Sequence, residues 1–383
     1  MPTSVSLTHL RRATLHHQGL TRAAPFGTAK SAALKAIEHL GYVQIDTLAV
    51  VERAHHHILW TRIPTYKPVH LERLLQERKV FEYWSHAAAF LPMRDYRFAL
   101  PRMNAVKRGE SKWFASVTRK DEQEVLARIR SDGPLRARDF DSAKDQPGSW
   151  WNWKPAKKTL EKLFFQGDLM ISGRDGMQKI YDLRERVLPA HVDTREPTLQ
   201  EFSEHLIDTS LNAHGFITRK QIVHQRKGED LRAMINALLK ARVHEGQLAL
   251  FVLDDNIKVY GAPDLLERRW SKPSQTVQIL SPFDNAVIHR DRVKALFNFD
   301  YTIECYTPQH KRRYGYFTLP LLFGEHMVGR MDCKAERMAR RLEVISLHLE
   351  SPVHDTEEFH AALAVTLQRF AHFNGCDEIS QGT

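Results

Sequence analysis

The feature of this sequence that most constrains its fold is an internal repeat at a spacing of about 80 residues, long enough to hold one supersecondary unit. Each copy has the same predicted order of elements: a helix, a short helix, a longer helix and a β-hairpin. The first copy has them at Asp121–Arg130, Ala137–Phe140, Pro155–Gln166, Asp168–Ser172 and Gln178–Leu183. The second copy has them at Leu199–Ala213, Thr218–Val223, Asp230–Ala241, Gln247–Leu253 and Lys258–Gly261. This order is typical of a winged helix, and its recurrence supports both assignments.

Turn-forming residues separate the two strands of each predicted hairpin. They are Gly173-Arg174-Asp175-Gly176 in the first copy and Asp254-Asp255-Asn256 in the second, residue types that tolerate positive φ. Trp150, Trp151 and Trp153, which stand before the longer helix of the first copy, are interpreted as structural residues.

The N-terminal third permits a similar division in a less clear register. Helices are predicted at Leu7–Gln18, Thr28–Leu40 and Thr47–Arg62, and strands at Val80–Trp84 and Ala87–Leu91. The pattern therefore favours a third winged helix at this end of the chain.

Short strands dominate the sequence after the second repeat. They are predicted at Thr276–Leu280, Tyr301–Tyr306, Tyr314–Pro320, Val328–Cys333 and Leu342–Leu349, before a closing helix at Thr356–Phe373. Proline and charge at Arg184–Pro197 and Lys272–Gln275 are typical of linkers. The sequence thus predicts an α+β fold of three tandem winged helix-turn-helix units and a C-terminal β-rich, barrel-like module. The predicted domains are 1–110, 120–190, 198–270 and 275–383.

The charge balance indicates the class of partner. The 383-residue chain has a formal net charge of +10 and a pI of about 9.4, which favours a polyanion such as nucleic acid. A merely solvated basic surface is the alternative. The three cysteines lack disulfide or zinc spacing, and no apolar run is long enough for a signal core or a membrane span. We therefore expect a cytoplasmic monomer without metal or cofactor.

A carboxylate and a carboxamide stand close together after the second predicted helix. Gly41 ends that helix, and Gln44 and Asp46 follow two residues apart in an extended segment, so both side chains point to the same side. This pair is a candidate catalytic site. The alternative is that Asp46 caps the helix predicted at Thr47–Arg62.

A cluster of polar residues follows in the sequence Glu52-Arg53-Ala54-His55-His56-His57. Glu52 and His56 share a helix face, but no third ligand stands at a metal-binding spacing. Arg53, His55 and His56 suit a helix that faces phosphates, and a solvated helix is the alternative for Arg53.

Two further segments combine aromatic and polar residues. In Glu82-Tyr83-Trp84-Ser85-His86 the aromatic rings fit either a wall of a substrate cleft or a buried core. In Lys311-Arg312-Arg313-Tyr314-Gly315-Tyr316, cations beside aromatics suit contact with phosphates and bases, with a solvated turn as the alternative. The candidates for DNA contact in these regions are Tyr83, Trp84, His86, Lys311, Arg312, Arg313, Tyr314, Tyr316 and Arg330.

Several other chemistries have no support, because the sequence lacks the phosphate-binding loops, the dinucleotide fingerprint, the nucleophile elbow and the zinc deaminase pattern.

The sequence resembles the YcaQ/AlkZ family of crosslink-repair DNA glycosylases over nearly its whole length. The matching segments, in order, are Leu40–Thr47, Arg53–His56, Phe81–His86, Leu280–Asp284, Tyr306–Pro308 with Lys311–Tyr316, and Val328–Asp332. The segment Gln44-Ile45-Asp46 is similar to the YcaQ branch, in which the third residue is Asp.

The resemblance implies a bacterial, monofunctional DNA glycosylase with a basic concave face of winged helices. Its substrates would be N7-alkylguanine adducts and interstrand crosslinks in double-stranded DNA. Asp46 would activate water and Gln44 would orient it. A non-catalytic winged-helix regulator is the main alternative, and a metal-dependent nuclease built on Glu52 and His56 is a third.

Overall fold

The structure is a computed structural model that describes residues 6–140, 153–253, 257–351 and 356–381. Trp150, Trp151 and the turn Asp254-Asp255-Asn256, for which the sequence made predictions, lie outside the described residues, as does the side chain of Trp153.

Helices and strands are interspersed along the described chain. The α-helices are α1 (Leu7–His17), α2 (Ala29–Leu40), α3 (Ala54–Arg62), α4 (Pro68–Gln76), α5 (Leu100–Lys107), α6 (Arg119–Asp132), α7 (Trp153–Phe165), α8 (Arg184–Val187), α9 (Leu199–His214), α10 (Arg219–Ile222), α11 (Glu229–His244), α12 (Arg290–Phe297) and α13 (Glu357–Phe373). The strands are β1 (Val43–Gln44), β2 (Val80–Trp84), β3 (Ala88–Pro92), β4 (Leu135–Arg136), β5 (Leu169–Asp175), β6 (Gln178–Leu183), β7 (Phe216–Ile217), β8 (Ala249–Val252), β9 (Lys258–Gly261), β10 (Val277–Ile279), β11 (Thr318–Phe323), β12 (His326–Glu336), β13 (Arg341–Leu349) and β14 (Glu378–Gln381). The predicted mixed α+β class is confirmed. In the described ranges, no helix is both long and apolar enough to cross a membrane.

The packing divides the chain into two compact units. The first unit comprises Met1–Lys67 and Ser203–Thr383, and the second comprises Pro68–Phe202. This grouping differs from the predicted domains: it cuts the module predicted at 1–110 after Lys67 and joins the N-terminal helices to the C-terminal half.

The second unit contains the first copy of the repeat. This copy begins with α6, whose N-terminus has a capping box between Thr118 and Asp121. A short 3₁₀ helix at Ala137–Phe140 and α7 follow, and the sheet has the strand order β4-β6-β5. The apolar face predicted for the longer helix is confirmed, since Leu160 and Leu163 of α7 are fully buried.

The second copy has the same order and belongs to the first unit from Ser203 of α9 onward. It consists of α9, α10, α11 and a sheet of strand order β7-β9-β8, and a capping box between Thr218 and Gln221 starts α10. The order predicted for both copies is therefore confirmed element by element. A third winged helix remains a prediction.

The core of the first unit joins distant parts of the chain. Leu10 and Leu15 of α1 lie in one buried cluster with Phe216, Leu280 and Phe299. A fully buried ion pair also crosses this unit, as Arg62 of α3 donates from Nη1 and Nη2 to the two carboxylate oxygens of Asp284, both at 2.8 Å. Asp284 is therefore a structural residue.

The C-terminal module is an open sheet with the strand order β10-β11-β12-β13-β14, packed with α13. Its edge strands β10 and β14 do not pair with each other in the part of the chain that the structure describes, so the sheet is not a closed barrel. Between β13 and β14 the pairing is parallel, whereas the other neighbours are antiparallel.

Two predictions about local structure are wrong, and three helices were missed. The predicted helix Thr47–Arg62 begins only at Ala54, and Tyr301–Tyr306 is a loop in which Tyr301 is buried and donates its hydroxyl to Thr318 O. The helices α4, α5 and α12 were not predicted.

Candidate active site

The segment that carries Gln44 and Asp46 leaves α2 through a tight turn. Gly41 ends the helix with a φ of 78°, and a Cβ at this position would lie 2.1 Å from Cγ2 of Thr209. Glycine is therefore required here on two grounds, conformation and space. The short strand β1 then buries Gln44, and Asp46 follows half-buried.

Asp46 is held by a local hydrogen bond. The Leu48 N–H donates to Oδ1 at 2.8 Å, and within the described residues no group donates to Oδ2. Asp46 is not a helix cap, because α3 begins eight residues later, at Ala54, with Arg53 at its N-cap position. Burial raises the pKa of Asp46, and the bond from Leu48 opposes that shift. One carboxylate oxygen is thus fixed and the other is available to a ligand.

The loop Ile45–Arg53, called the Asp46 loop below, is tied to remote parts of the first unit. The bonds run from Ala335 N–H to Val50 O at 2.9 Å, from Arg337 Nη1 to Ala49 O at 3.0 Å, and from Glu52 N–H to Asn374 Oδ1 at 2.6 Å. Asn374 is 2% exposed. Sequence reasoning missed these partners, because residues about 290 to 320 positions away carry no local signal of such a contact.

The segment Cys305–Tyr316, called the basic loop below, begins with two residues that the charge of Asp46 affects. Burial raises the pKa of Cys305 and of Tyr306, and the negative charge of Asp46 raises both further. Such an effect falls off with distance, so both side chains lie within electrostatic reach of Asp46. The Tyr306 side chain is 78% exposed. An exposed aromatic ring and a half-buried carboxylate therefore occupy the same region.

The cations of the basic loop stand beside aromatic rings. Lys311 and Arg313 are exposed and Arg312 is half-buried. The guanidinium of Arg312 lies 4.8 Å from the ring centre of Tyr316, and that of Arg313 lies 4.8 Å from the ring centre of Tyr314. These contacts orient the charges while leaving N–H groups for an anion.

A carboxylate shapes the backbone of the basic loop. Glu304 accepts hydrogen bonds from the N–H groups of Arg313, Tyr314 and Gly315 at 2.9, 2.7 and 3.2 Å. Burial opposes ionisation of Glu304, but these three bonds outweigh it and lower the pKa of its carboxyl. Asp332 also accepts from Tyr316 N–H at 2.7 Å. The loop is thus folded around two acidic anchors that keep its cations at the surface.

Comparison with known proteins assigns this arrangement to a family. A family model described as "DNA glycosylase AlkZ-like" matches residues 37–373. The chain belongs to the AlkZ-like DNA glycosylases. The resemblance found in the sequence is confirmed, and with it the expectation of a DNA-binding hydrolase that acts in DNA repair.

A solved structure is similar to this AlkZ-like chain over almost its full length. The DNA glycosylase AlkZ of Streptomyces sahachiroi aligns with a TM-score of 0.63 and 15% sequence identity, covering 99% of each chain. This likeness shows a shared fold.

Arg330 of the AlkZ-like chain was predicted to contact DNA, but its surroundings do not fit that role. Arg330 is 1% exposed, donates to Glu350 Oε1 from Nε at 3.1 Å and from Nη2 at 2.5 Å, and lies against the ring of Tyr314. A side chain with its charge already paired in the interior has no surface for a phosphate. Arg330 instead supports the basic loop through Tyr314.

The polar cluster of α3 is largely internal as well. His55 is 4% exposed, so its predicted DNA contact is also corrected, and Nδ1 of half-buried His56 is hydrogen-bonded to the Tyr66 hydroxyl at 2.7 Å. Arg53 is half-buried at the start of α3. Within the described ranges, no group of three or more His, Cys, Asp or Glu side chains is arranged to hold a metal ion.

Tyr83, Trp84 and His86 lie in the second unit. Tyr83 is 2% exposed and donates its hydroxyl to Phe165 O at 2.6 Å, so the alternative of a core aromatic is the correct one. Trp84 is half-buried beneath the guanidinium of Arg102, 5.2 Å from its ring centre, and His86 is also half-buried.

Proposed function

We propose that this AlkZ-like protein is a monofunctional glycosylase that hydrolyses the N-glycosidic bond of N7-alkylguanine in duplex DNA and unhooks interstrand crosslinks made through such bases. The observation that carries the proposal is the state of Asp46. Its carboxylate is half-buried, fixed through Oδ1 and without a donor on Oδ2 in the described structure, and its charge acts on Cys305 and Tyr306 at the start of the basic loop.

The chemistry follows from the charge of the substrate. N7-alkylation makes the guanine cationic, so the base leaves without being protonated. As the C1′–N9 bond breaks, its electron pair goes to the base, and positive charge develops on the sugar. The negative charge of ionised Asp46 stabilises the positive charge on the sugar in the transition state. The same carboxylate removes a proton from the water that adds to C1′. The products are the neutral N7-alkylguanine and an abasic site in an unbroken strand.

Gln44 has a supporting role in this proposal. It stands two residues before Asp46 on the same segment, and a carboxamide both donates and accepts hydrogen bonds without adding charge. It orients the water or the sugar. Because burial raises the pKa of Asp46, a neutral neighbour also avoids a second carboxylate that would raise it further.

The basic loop supplies the binding surface. Lys311 and Arg313 are exposed at the loop and suit sequence-independent contact with phosphates. The exposed ring of Tyr306 offers an aromatic face near Asp46, and such a face attracts a cationic base more than a neutral one. A crosslinked base stays tethered to the opposite strand and cannot enter a deep pocket, so an exposed ring suits it better than an enclosed one.

The direct test uses a duplex that contains a single N7-methylguanine. Chromatography should detect free N7-methylguanine, and the strand should stay intact until alkali cleaves the abasic site. The same release in EDTA would exclude the metal-dependent nuclease. Failure to release the base from this substrate and from a nitrogen-mustard crosslink would contradict the proposed function.

A further inference from the structure

A cavity of about 540 Å³ lies in the first unit, away from the residues assigned to catalysis and DNA binding. Its walls come from β7, α10, β9 and α12, together with Leu253 and Ile257. The apolar side chains that form them are Phe216, Leu253, Ile257, Val259, Ala295 and Leu296. A space of this volume and polarity accommodates an organic molecule of one or two rings.

A buried cation lines the same cavity. Arg292 is 8% exposed and donates to Phe216 O at 2.8 Å, His214 O at 3.1 Å, Thr14 Oγ1 at 2.6 Å and Gln221 Oε1 at 3.3 Å. All four acceptors are neutral. Within the described residues no carboxylate pairs with Arg292, and burial lowers its pKa to about 9. Nη1 and Nη2 of the guanidinium therefore have hydrogen bonds but no counter-ion in the part of the chain that the structure describes, which is unfavourable for a buried charge.

The polar groups around Arg292 add to the positive character of the cavity. Arg290 also lines it, and its guanidinium donates to the neutral acceptors Val287 O and Pro282 O. The carboxylate of Asp291 is already paired with Lys220. Nε of Arg292 and Nε2 of Gln221, whose side chains are joined by the bond to Gln221 Oε1, have no hydrogen-bond partner among the described residues. In the described lining of the cavity, no carboxylate is thus paired with Arg292.

We propose that this cavity binds a small organic anion, a carboxylate on an aromatic or compact aliphatic body. The apolar body lies against Ile257, Val259 and Leu296, and the carboxylate approaches Arg292 and Gln221. The anion supplies the missing counter-ion, and the apolar walls exclude inorganic ions, which have no surface to bury there. The proposal is independent of the glycosylase assignment.

The test compares two ligands of the same shape on the full-length protein. We use 2-naphthoate as the probe and 2-naphthol, which is neutral at pH 7, as its matched control, with affinities measured by calorimetry. The anion should bind at least about tenfold more tightly, the effect expected of one charge-assisted contact. Arg292→Gln should remove this preference. Equal affinities for the two ligands, or no heat of binding at millimolar 2-naphthoate, would overturn the proposal.

Filling the cavity gives a second test that does not depend on Arg292 variants folding. Ala295→Phe and Ile257→Trp place added volume at half-buried positions of the wall. Each should abolish binding of 2-naphthoate, whereas Val365→Phe, at a position that is 64% exposed on α13, should leave it unchanged. Binding that survives both filling variants would place the anion elsewhere and overturn the assignment.

Discussion

The Asp46 loop and the basic loop lie near each other, but they are built in opposite ways. Three backbone groups of the Asp46 loop are hydrogen-bonded to residues that are remote in the sequence. The carboxylate of Asp46 on this loop is half-buried. The basic loop is organised from inside by Glu304, and it turns Lys311 and Arg313 toward solvent. The first construction fixes a single group in position, and the second presents charge over a surface. This contrast indicates that the Asp46 loop serves catalysis and the basic loop serves DNA binding. A variant of either loop should therefore affect one of the two activities and spare the other.

The largest effect is expected at Asp46. Asp46→Asn keeps an oxygen for the Leu48 N–H but removes the charge, so base release under single-turnover conditions should fall by at least about 100-fold. DNA affinity should stay equal or rise, because one negative charge is lost. Gln44→Ala should lose less, since it removes orientation without charge.

Stability gives a control for the Asp46 variant. The pKa of Asp46 is raised in the folded state, so folding disfavours its ionised form. The free energy of unfolding therefore falls as the pH rises from the pKa of the unfolded state through the pKa of the folded state. At pH 7 the free energy of unfolding of Asp46→Asn should therefore be unchanged or higher. Glu52→Gln, on the same loop, should retain normal base release. A normal rate in Asp46→Asn would remove Asp46 from the chemistry.

The next effect concerns the basic loop. Replacing Lys311, Arg312 and Arg313 by Ala should weaken DNA binding at least about tenfold and flatten the plot of log K against log salt by about one unit per lost phosphate contact. The single-turnover rate at saturating protein should change little. Lys120→Ala, an exposed cation on α6, serves as the control. An unchanged salt slope in the triple variant would return the loop to the alternative of a solvated turn.

The fold shows where such assignments can be made from sequence. Both repeats were predictable because their apolar spacing and capping residues agree with the tertiary structure, as at Thr118 and Thr218. The apolar run after Asp46 is compatible with a helix, but the Ala335 bond to Val50 O favours an extended loop. Local propensity is weak enough for one set of tertiary contacts to override it.

The site was predictable to a similar degree. Asp46 and the cations of the basic loop could be proposed from sequence because their residue types express their chemistry directly. The burial of Arg330 was not predictable, since its partner Glu350 directly follows the neighbouring strand β13 and only the register of β12 and β13 brings the two side chains together. Charged residues are rarely buried unless they are paired. When the partner is not known, a charged residue such as Arg330 is therefore predicted to lie at the surface.

A smaller effect is expected at Tyr306. Tyr306→Leu keeps apolar volume but removes the aromatic face, so the preference for DNA with a non-hydrolysable N7-methylguanine analogue over the unmodified duplex should fall about three- to tenfold. Tyr306→Phe should keep the preference. The measurement is a ratio of dissociation constants by fluorescence anisotropy. If the Tyr306→Leu protein binds the lesion as selectively as the parent protein does, the aromatic ring has no role in recognition.

The smallest effect is expected where the Asp46 loop is anchored. Asn374→Ala leaves the Glu52 N–H without its acceptor, and the resulting displacement of the loop should lower the rate of base release about threefold without changing DNA affinity. Asn374→Asp retains an acceptor oxygen and should recover most of the rate. A loss of affinity with an unchanged rate would show that Asn374 does not act through Asp46.

The pH dependence of single-turnover base release from N7-methylguanine DNA tests the central claim most directly. The reaction needs ionised Asp46, and burial raises its pKa, so the rate of the parent enzyme should fall with decreasing pH at values above the ordinary 3.8 of an aspartate. The substrate is cationic throughout, so no protonation of the base compensates for that loss. Asp46→Asn should show a low rate without this acidic limb. A parent profile that is flat down to pH 4, or the same limb in Asp46→Asn, would contradict the assignment of the chemistry to this carboxylate.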